Sequence, residues 1–132
     1  MNGISSAVAE RLTVERNIWL STVRPGGGPH LVPTWFAWAG DRVWGATGAR
    51  SVKHRNVAAN PRIWLSLQDG DRPVVAAGTV DVVARPFPDG PVAVFRDKYH
   101  WDISVEQDPD IGDMALWGIT VQRWVMTGSA GS

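Results

Sequence analysis

Residues 17–39 decide the fold, and they read NIWLSTVRPGGGPHLVPTWFAWA. The run Asn17–Val23 alternates and is rich in β-forming residues, and the apolar run His30–Ala39 has a similar strand character. Between them lies Arg24–Pro29, which is rich in glycine and proline, so the whole stretch predicts a β-hairpin. Pro33 falls inside the second run. Because proline has no N–H to donate to a ladder, it marks a sheet edge, a bulge or a place where another group approaches the backbone.

The β pattern continues after this hairpin. Four further runs are predicted strands, with turn signals between them and with Gly78 marking a bulge in the third. Six strands with two or three short helices predict a mainly β protein that forms a closed or half-closed antiparallel barrel. The four strands are 42–47, 62–68, 73–84 and 114–127, and the helices are 4–14, a segment from its cap Ser51 to about residue 59, and one containing Val92, Phe95 and Tyr99.

Length and composition exclude several classes of protein. A chain of 132 residues predicts a single domain over residues 1–132. The absence of cysteine excludes a disulfide framework and a thiolate nucleophile. Thirteen basic and thirteen acidic residues give zero net charge, so no nucleic acid or anionic membrane is expected as a partner. No apolar run approaches the roughly 20 residues that cross a bilayer. Met1–Ser6 shows no signal-peptide pattern, and we expect a cytoplasmic protein.

Two familiar site patterns are absent. The triple glycine Gly26–Gly28 lacks the Lys-Ser/Thr sequel of a phosphate loop, so it is interpreted as the hairpin loop. The histidines fall at no metal-ligand spacing, and no metal site is expected. They are His30, His54 and His100.

The segment Gly48–Asn56 favours an anion site. It lies in a region, 41–62, that holds five basic residues and one acid. If Ser51 caps a helix, the amides of the first turn point outward with partial positive charge, with Arg50 just before them and Lys53 among them. A phosphate placed there receives a hydroxyl, backbone amides and a Lys charge together. The alternative is a solvated basic helix, and the residues alone leave both interpretations open.

Eight tryptophans are more aromatic surface than a barrel of this size can bury. Either a dimer interface or a flat aromatic ligand is therefore expected to cover some of them.

Five short motifs resemble, in their order and spacing, the flavin/deazaflavin oxidoreductases, which have a split β-barrel like that of pyridoxamine phosphate oxidase. The resemblance covers roughly residues 17–85 closely and the final strand more loosely. The motifs are His30-Leu-Val-Pro-Thr-Trp-Phe-Ala-Trp38, Ser51-x-Lys53-x-Arg55-Asn56, Asn60-Pro-Arg62, Asp69-Gly-Asp-Arg72 and Ala77-Gly-Thr79.

The resemblance implies a six-stranded antiparallel split barrel and a homodimer with two cofactor sites at the subunit interface. An aromatic residue of the partner's last strand, matching Trp117 or Trp124, is expected to close each site. The implied cofactor-binding residues are Val32, Pro33, Thr34 and Trp35 against the ring, and Ser51, Lys53, Arg55 and Asn56 at the phosphate, and the charge pattern adds Arg50.

The same resemblance offers two cofactors, FMN and the deazaflavin coenzyme F-420. The strand and helix motifs look more like the deazaflavin-using branch, and Arg50 and Arg62 suit the longer anionic tail of F-420, so F-420 is favoured. Val57 replaces the Leu usual after the Asn. No Arg/His-bearing extension follows the final strand, so we do not expect vitamin B6 oxidation.

The expected function is therefore an F-420-dependent oxidoreductase that transfers hydride to a flat, largely apolar small molecule with an activated double bond. No catalytic residue is assigned, and Tyr99 and His100 are the candidates for a proton donor. Two alternatives stay open: an FMN-binding oxidoreductase of the same family, and a non-catalytic carrier or sensor of a flavin or tetrapyrrole.

Overall fold

The structure is a computed structural model that describes residues 4–105, 107–108, 110 and 112–128. Over these residues, strands and three helices follow one another along the chain. They are α1 (Ser6–Val14), β1 (Ile18–Val23), β2 (Pro29–Thr34), β3 (Phe36–Ala39), β4 (Arg42–Gly48), α2 (Val52–Ala59), β5 (Arg62–Leu67), β6 (Val74–Val83), α3 (Asp89–Tyr99), β7 (Gln107–Asp108) and β8 (Gly112–Thr127).

Seven antiparallel strands form one sheet in the order β2-β1-β5-β6-β8-β4-β3, and the short β7 pairs with β8. The two edge strands, β2 and β3, are separated along the chain by Trp35 alone. The sheet must therefore curl until its edges come close together, and it forms a half-barrel. The 16-residue strand β8 pairs with β6 over most of its length and with β4 over its first part, so it joins the two halves of the curl.

The predicted count of six strands is wrong because the predicted strand His30–Ala39 is two strands. Its first part pairs with β1, and its second part pairs with β4 at the opposite edge of the sheet. Trp35 lies between them, and its ring stacks on that of Tyr99 at 4.3 Å. Pro33 lies on an edge strand, and this confirms one of the three interpretations of that proline.

Two local signals are confirmed. Ser51 is the N-cap of α2, and its Oγ accepts a hydrogen bond from the His54 N–H at 3.2 Å. The register of β6 against β8 shifts between Ala77 and Gly78, as a bulge requires. A Cβ at Gly78 would collide with the Thr120 carbonyl oxygen, so only glycine fits the close approach of these strands.

The core has two parts. The interior of the curled sheet is filled by apolar side chains that alternate along the strands, together with Val8 and Leu12 of α1. A second cluster lies on the outer face of β3, β4 and β8, where α3 packs. Its centre is Phe95 of α3, which is fully buried. The outer face of β1, β2 and β5 is different, since Trp19, Leu31 and Trp64 are exposed there.

The sequence predicts an acidic loop over residues 102–113, and the structure has β7 and the first residues of β8 there. It also predicts a frayed tail over residues 128–132. Residues 1–3, 106, 109, 111 and 129–132 lie outside the described part. In the described part of the chain, no helix combines the length and the apolar character that crossing a bilayer requires.

Candidate functional site

The N-terminus of α2 is built as an anion-binding element. Ser51 Oγ accepts hydrogen bonds from the His54 N–H and from the Thr47 hydroxyl, at 3.2 and 3.0 Å, so its own proton is free to be donated. The N–H groups of Val52 and Lys53 precede the first intrahelical hydrogen bond and carry the partial positive charge of the helix end. One hydroxyl and two amides are thus available to an anionic group.

Lys53 adds a full positive charge in the same helical turn. Its side chain is half-buried, and this burial lowers the pKa of its ammonium group. Among the residues that the structure describes, no carboxylate forms an ion pair with Lys53. A cation that has lost part of its hydration without gaining a counter-ion is stabilised by an arriving anion.

His30 of β2 lies close enough to Lys53 for the two charges to interact, and sequence reasoning missed it. Burial lowers the pKa of His30, and the positive charges of Arg24 and Lys53 lower it further. Its Nδ1 atom is buried and has no hydrogen-bond partner within the described residues. In the sequence, His30 begins the family motif His30–Trp38 and has no metal-ligand spacing, and neither feature assigns it to the phosphate site. The alternation along β2 puts His30 on the same face as Val32 and Thr34, but it does not report how β2 packs against α2.

The other predicted phosphate residues take different positions. Asn56 is buried, and its Nδ2 donates to Thr22 Oγ1 at 3.0 Å, so it holds α2 against β1. Arg55 is exposed, two residues from Lys53 and therefore on a different face of the helix. The Arg50 side chain lies beside Gly112 at the start of β8, where a Cβ on that glycine would be 3.5 Å from Arg50 Cγ. The structure thus groups Ser51, Lys53 and His30, with Arg50 and Arg55 further out.

The predicted ring-binding residues belong to the edge strand β2 and the residue after it. Val32 and Thr34 face the interior, opposite Leu20 and Ile18, and Pro33 faces outward. A flat ring cannot contact all three side chains, but it can lie along the outer backbone edge of β2, which has no strand partner in the sheet. The His30 end and the Trp35 end of this edge are about 17 Å apart at the usual rise of an extended strand.

Trp35 forms an aromatic cluster with residues of α3 and the segment after it. Its ring is parallel to that of Tyr99, with 4.3 Å between centroids, and Trp101 packs edge-on at 5.7 Å. The Arg16 guanidinium lies over both Tyr99 and Trp35, at 4.8 and 5.7 Å. With 39% of Trp35 exposed, this cluster offers a firm aromatic surface at one end of β2.

The structure does not support Tyr99 as a proton donor. Its hydroxyl lies 2.7 Å from the Arg16 carbonyl oxygen and 3.0 Å from that of Phe36, and it accepts the Phe36 N–H at 3.1 Å. Burial raises the pKa of the Tyr99 phenol. The hydroxyl ties the β2–β3 junction to α3 and is occupied in that role. His100 is the exposed, left-handed C-cap of α3, with no contact to β2 that would make it a donor there.

Of the two last-strand tryptophans, Trp117 cannot close a partner's site. It is 1% exposed inside its own barrel, and its indole N–H donates to His54 Nδ1 at 3.0 Å. This bond fixes α2 to the barrel interior. Trp124 is half-buried at the edge of the core and remains a candidate.

Trp124 also lines a groove of about 520 Å³ between the β3–β4 turn and β8, together with Trp38. The groove lies at the start of β4, whereas the N-terminus of α2 follows the end of β4. Within one subunit these two features are therefore separated by the length of a strand. Of the described His, Asp and Glu side chains, no three come together as a metal site would require.

The donor set at α2 fits an anionic cofactor group. The Ser51 hydroxyl, two helix-end amides and the Lys53 ammonium, which has no carboxylate partner among the described residues, lie in the first turn of α2, and the charge of Lys53 acts on His30 of β2. A phosphate or carboxylate would satisfy each of them.

Comparison with known proteins agrees with this architecture. The family model described as pyridoxamine 5'-phosphate oxidase matches residues 4–128. No curated protein has a significant sequence match to the chain.

Several solved structures are similar over nearly the whole chain. The conserved hypothetical protein Rv2991 from Mycobacterium tuberculosis is 25% identical, with a TM-score of 0.73, covering 98% of this chain and 93% of that one. A structure described as an F-420 reductase is 28% identical, with a TM-score of 0.69. The match covers 91% of this chain and 97% of that one. The heme storage protein HutZ from Vibrio cholerae, 15% identical with a TM-score of 0.76 and coverage of 97% and 96%, shares the fold. Given its half-barrel and the family match over residues 4–128, the chain belongs to the pyridoxamine 5'-phosphate oxidase family.

Proposed function

We propose that the protein is an F-420-dependent reductase that transfers hydride between the deazaflavin coenzyme and a flat, largely apolar substrate with an activated double bond. The observation that carries this proposal is the half-buried Lys53 in the first turn of α2, which has no ion-pair partner among the described residues and whose charge acts on His30 of β2. Family membership and the 28% identity to an F-420 reductase over 91% of the chain support it.

In this proposal the chain's own residues bind and orient the cofactor. The Ser51 hydroxyl, the N–H groups of Val52 and Lys53, and the Lys53 ammonium hold the phosphate. The outer edge of β2 lies along the ring, where Pro33 offers no N–H that would need a partner. When bound, the cofactor supplies the hydride, and the protein supplies orientation and an aromatic surface that excludes water.

The choice of F-420 over FMN rests on charge beyond the phosphate site. Arg50, Arg55 and Arg62 are all exposed around α2, so positive charge extends past the groups that one phosphate needs. A long anionic tail uses such a surface, whereas the single phosphate of FMN does not. FMN remains the alternative cofactor for the same site.

We also infer that the protein is a homodimer and that the outer face of β1, β2 and β5 forms the interface. Leu31, Ser21 and Trp64 are cross-strand neighbours in one row of this face, and Trp19 lies in the next row. Leu31 is 60% exposed, Trp64 47% and Trp19 39%. Large apolar side chains grouped on one exposed face are typical of an interaction surface. This interface would bring the edge strand β2 of each subunit next to the partner.

A measurement of turnover distinguishes an enzyme from a non-catalytic carrier. Reduced F-420 is mixed with the protein and an enone or quinone acceptor, and its oxidation is followed by absorbance. The proposal expects oxidation faster than in the protein-free control, and a reduced rate at limiting cofactor for Lys53→Ala but not for Arg96→Ala, which removes an exposed charge on α3. Tight cofactor binding without acceleration for any acceptor would contradict the reductase and support the carrier.

A further inference from the structure

His30 is placed where two elements meet at the candidate phosphate site. On β2 it lies directly opposite Thr22 of β1, and Thr22 is buried and accepts the hydrogen bond from Asn56. Asn56 is one helical turn after Lys53 on α2, so both side chains lie on the face that meets β1. His30 is therefore paired with β1 and close enough for its pKa to be lowered by the lysine that the proposed function assigns to the phosphate.

The Nδ1 atom of His30 is buried and has no hydrogen-bond partner among the described residues. Buried polar atoms in folded proteins are nearly always bonded, because an unbonded one loses its hydration without compensation. Within the described residues, the one other side-chain nitrogen or oxygen in this condition is Arg11 Nη2, in a different part of the molecule. An anion bound at the N-terminus of α2 would supply a partner for this nitrogen once the nitrogen carries a proton.

The charges that face His30 are positive. Arg24, in the loop after β1, and Lys53, on α2, both act on it, and both disfavour its protonated form. His54, the neighbour of Lys53, contacts Trp117 with its Nδ1 and is directed to the barrel interior. In the absence of an anion the ring is therefore neutral near pH 7, since its pKa is lowered from 6.5.

We propose that His30 is a further ligand of the cofactor's anionic group and that it takes up one proton when that group binds. This inference rests on the proposed function for the class of ligand, but its chemistry requires only an anion. A negative charge beside the ring offsets Arg24 and Lys53, and a proton from solvent adds to the neutral imidazole. Both ring nitrogens are then donors, and Nδ1 gains the acceptor that it lacks. Dissociation of the anion returns the proton to solvent, and no covalent bond changes.

The first test follows His30 itself. Its protonation is measured by NMR between about pH 5 and pH 8, without and with sulfate, an anion whose own charge is constant over this range. We expect sulfate to raise the pKa of His30 and to leave the NMR signals of the exposed His100 in place at a fixed pH. An unchanged pKa of His30 in the presence of bound sulfate would overturn the inference. Failure of sulfate to bind at all would do so as well.

The second test measures proton uptake on binding of F-420. Calorimetric titrations in two phosphate-free buffers of different ionisation enthalpy give the number of protons taken up. The dissociation constant should fall by up to about tenfold for each pH unit as the pH is lowered from about 8 to about 6. His30→Gln should lose both the uptake and this pH dependence, while binding near pH 8 changes little. His100→Asn, at a left-handed C-cap where Asn is tolerated, should retain both.

The two proposals fail separately. If sulfate raises the pKa of His30 but F-420 does not bind, the F-420 function is wrong and the inference about His30 stands. If F-420 binds tightly with no proton uptake, or if His30→Gln retains the uptake, the inference about His30 is wrong and the proposed function stands.

Discussion

Lys53 is the residue on which the phosphate site depends most. Replacing it with alanine removes a charged hydrogen-bond donor, so F-420 binding should weaken by about 1–3 kcal/mol. The free energy of unfolding should stay constant or rise slightly, because the lost ammonium was half-buried and unpaired among the described residues. Fluorescence titration and urea denaturation measure the two effects. An unchanged dissociation constant would exclude Lys53 from the site, provided that Arg96→Ala also binds normally.

Gly78 is required by the close approach of β6 and β8. A Cβ there meets the Thr120 carbonyl oxygen and approaches the Val121 Cα at 3.1 Å, and both belong to the backbone of a paired strand. Gly78→Ala should therefore lower the free energy of unfolding by about 3 kcal/mol in urea denaturation. Gly26→Ala is the matched control, because a Cβ at Gly26 has no neighbour within 4 Å. Equal stability of the two variants would show that β6 and β8 can move apart with little loss in the free energy of unfolding.

At the scale of single residues, the sequence correctly predicts the features that depend only on a residue and its neighbours in the chain. The Ser51 cap, the Gly78 bulge and the edge position of Pro33 each follow from one side chain and its own backbone, and each is confirmed. The position of His30 beside Lys53 depends on how β2 and α2 pack. No residue near either one in the sequence reports that packing.

At the scale of elements, the bond between His54 and Trp117 ties α2 to β8. Trp117→Phe removes the indole N–H and leaves His54 Nδ1 without its donor, so the free energy of unfolding should fall by about 2–3 kcal/mol. The pKa of His54, which burial lowers, should rise because the neutral ring loses a hydrogen bond. Denaturation and NMR titration measure these changes. An unaltered pKa of His54 in Trp117→Phe would show that the contact is not a hydrogen bond.

The same histidines predict how stability depends on pH. His30 and His54 have pKa values lowered from 6.5, so below that pH the unfolded chain binds more protons than the folded protein. Stability is therefore full above about pH 6.5 and is lost as the pH falls toward the lowered values. Urea denaturation between about pH 5 and pH 8 should show this loss, and a variant with both His30→Gln and His54→Gln should show a smaller one. If the free energy of unfolding depends on pH equally in the variant and the wild type, the effect comes from other groups.

The elements themselves were predictable to differing degrees. Alternation and turn residues place β1, β4, β5, β6 and most of β8 correctly, because these signals are local. The division of residues 30–39 into β2 and β3 was not predictable, since the apolar pattern is continuous. What divides the run is that its halves pair with strands at opposite edges of the sheet.

For the whole molecule, the exposed face of β1, β2 and β5 predicts self-association. Trp64→Glu places a charge in the middle of this face and should convert a dimer into a monomer in sedimentation experiments. Val14→Glu is the control, because Val14 is 62% exposed at the end of α1 and belongs to none of the three strands that form the face. A wild-type protein that sediments as a monomer would contradict the proposed interface. So would a Trp64→Glu variant that remains a dimer.

The central claim is that α2 and the edge of β2 together bind F-420, and one measurement tests it most directly. Purified protein is titrated with F-420 and, separately, with FMN, and the quenching of tryptophan fluorescence is followed. Exposed Trp35, which lies at the end of the proposed ring surface, supplies the signal. We expect saturable quenching with a markedly lower dissociation constant for F-420 than for FMN. Tighter binding of FMN would reassign the cofactor, and saturable binding of neither would contradict the account of the site.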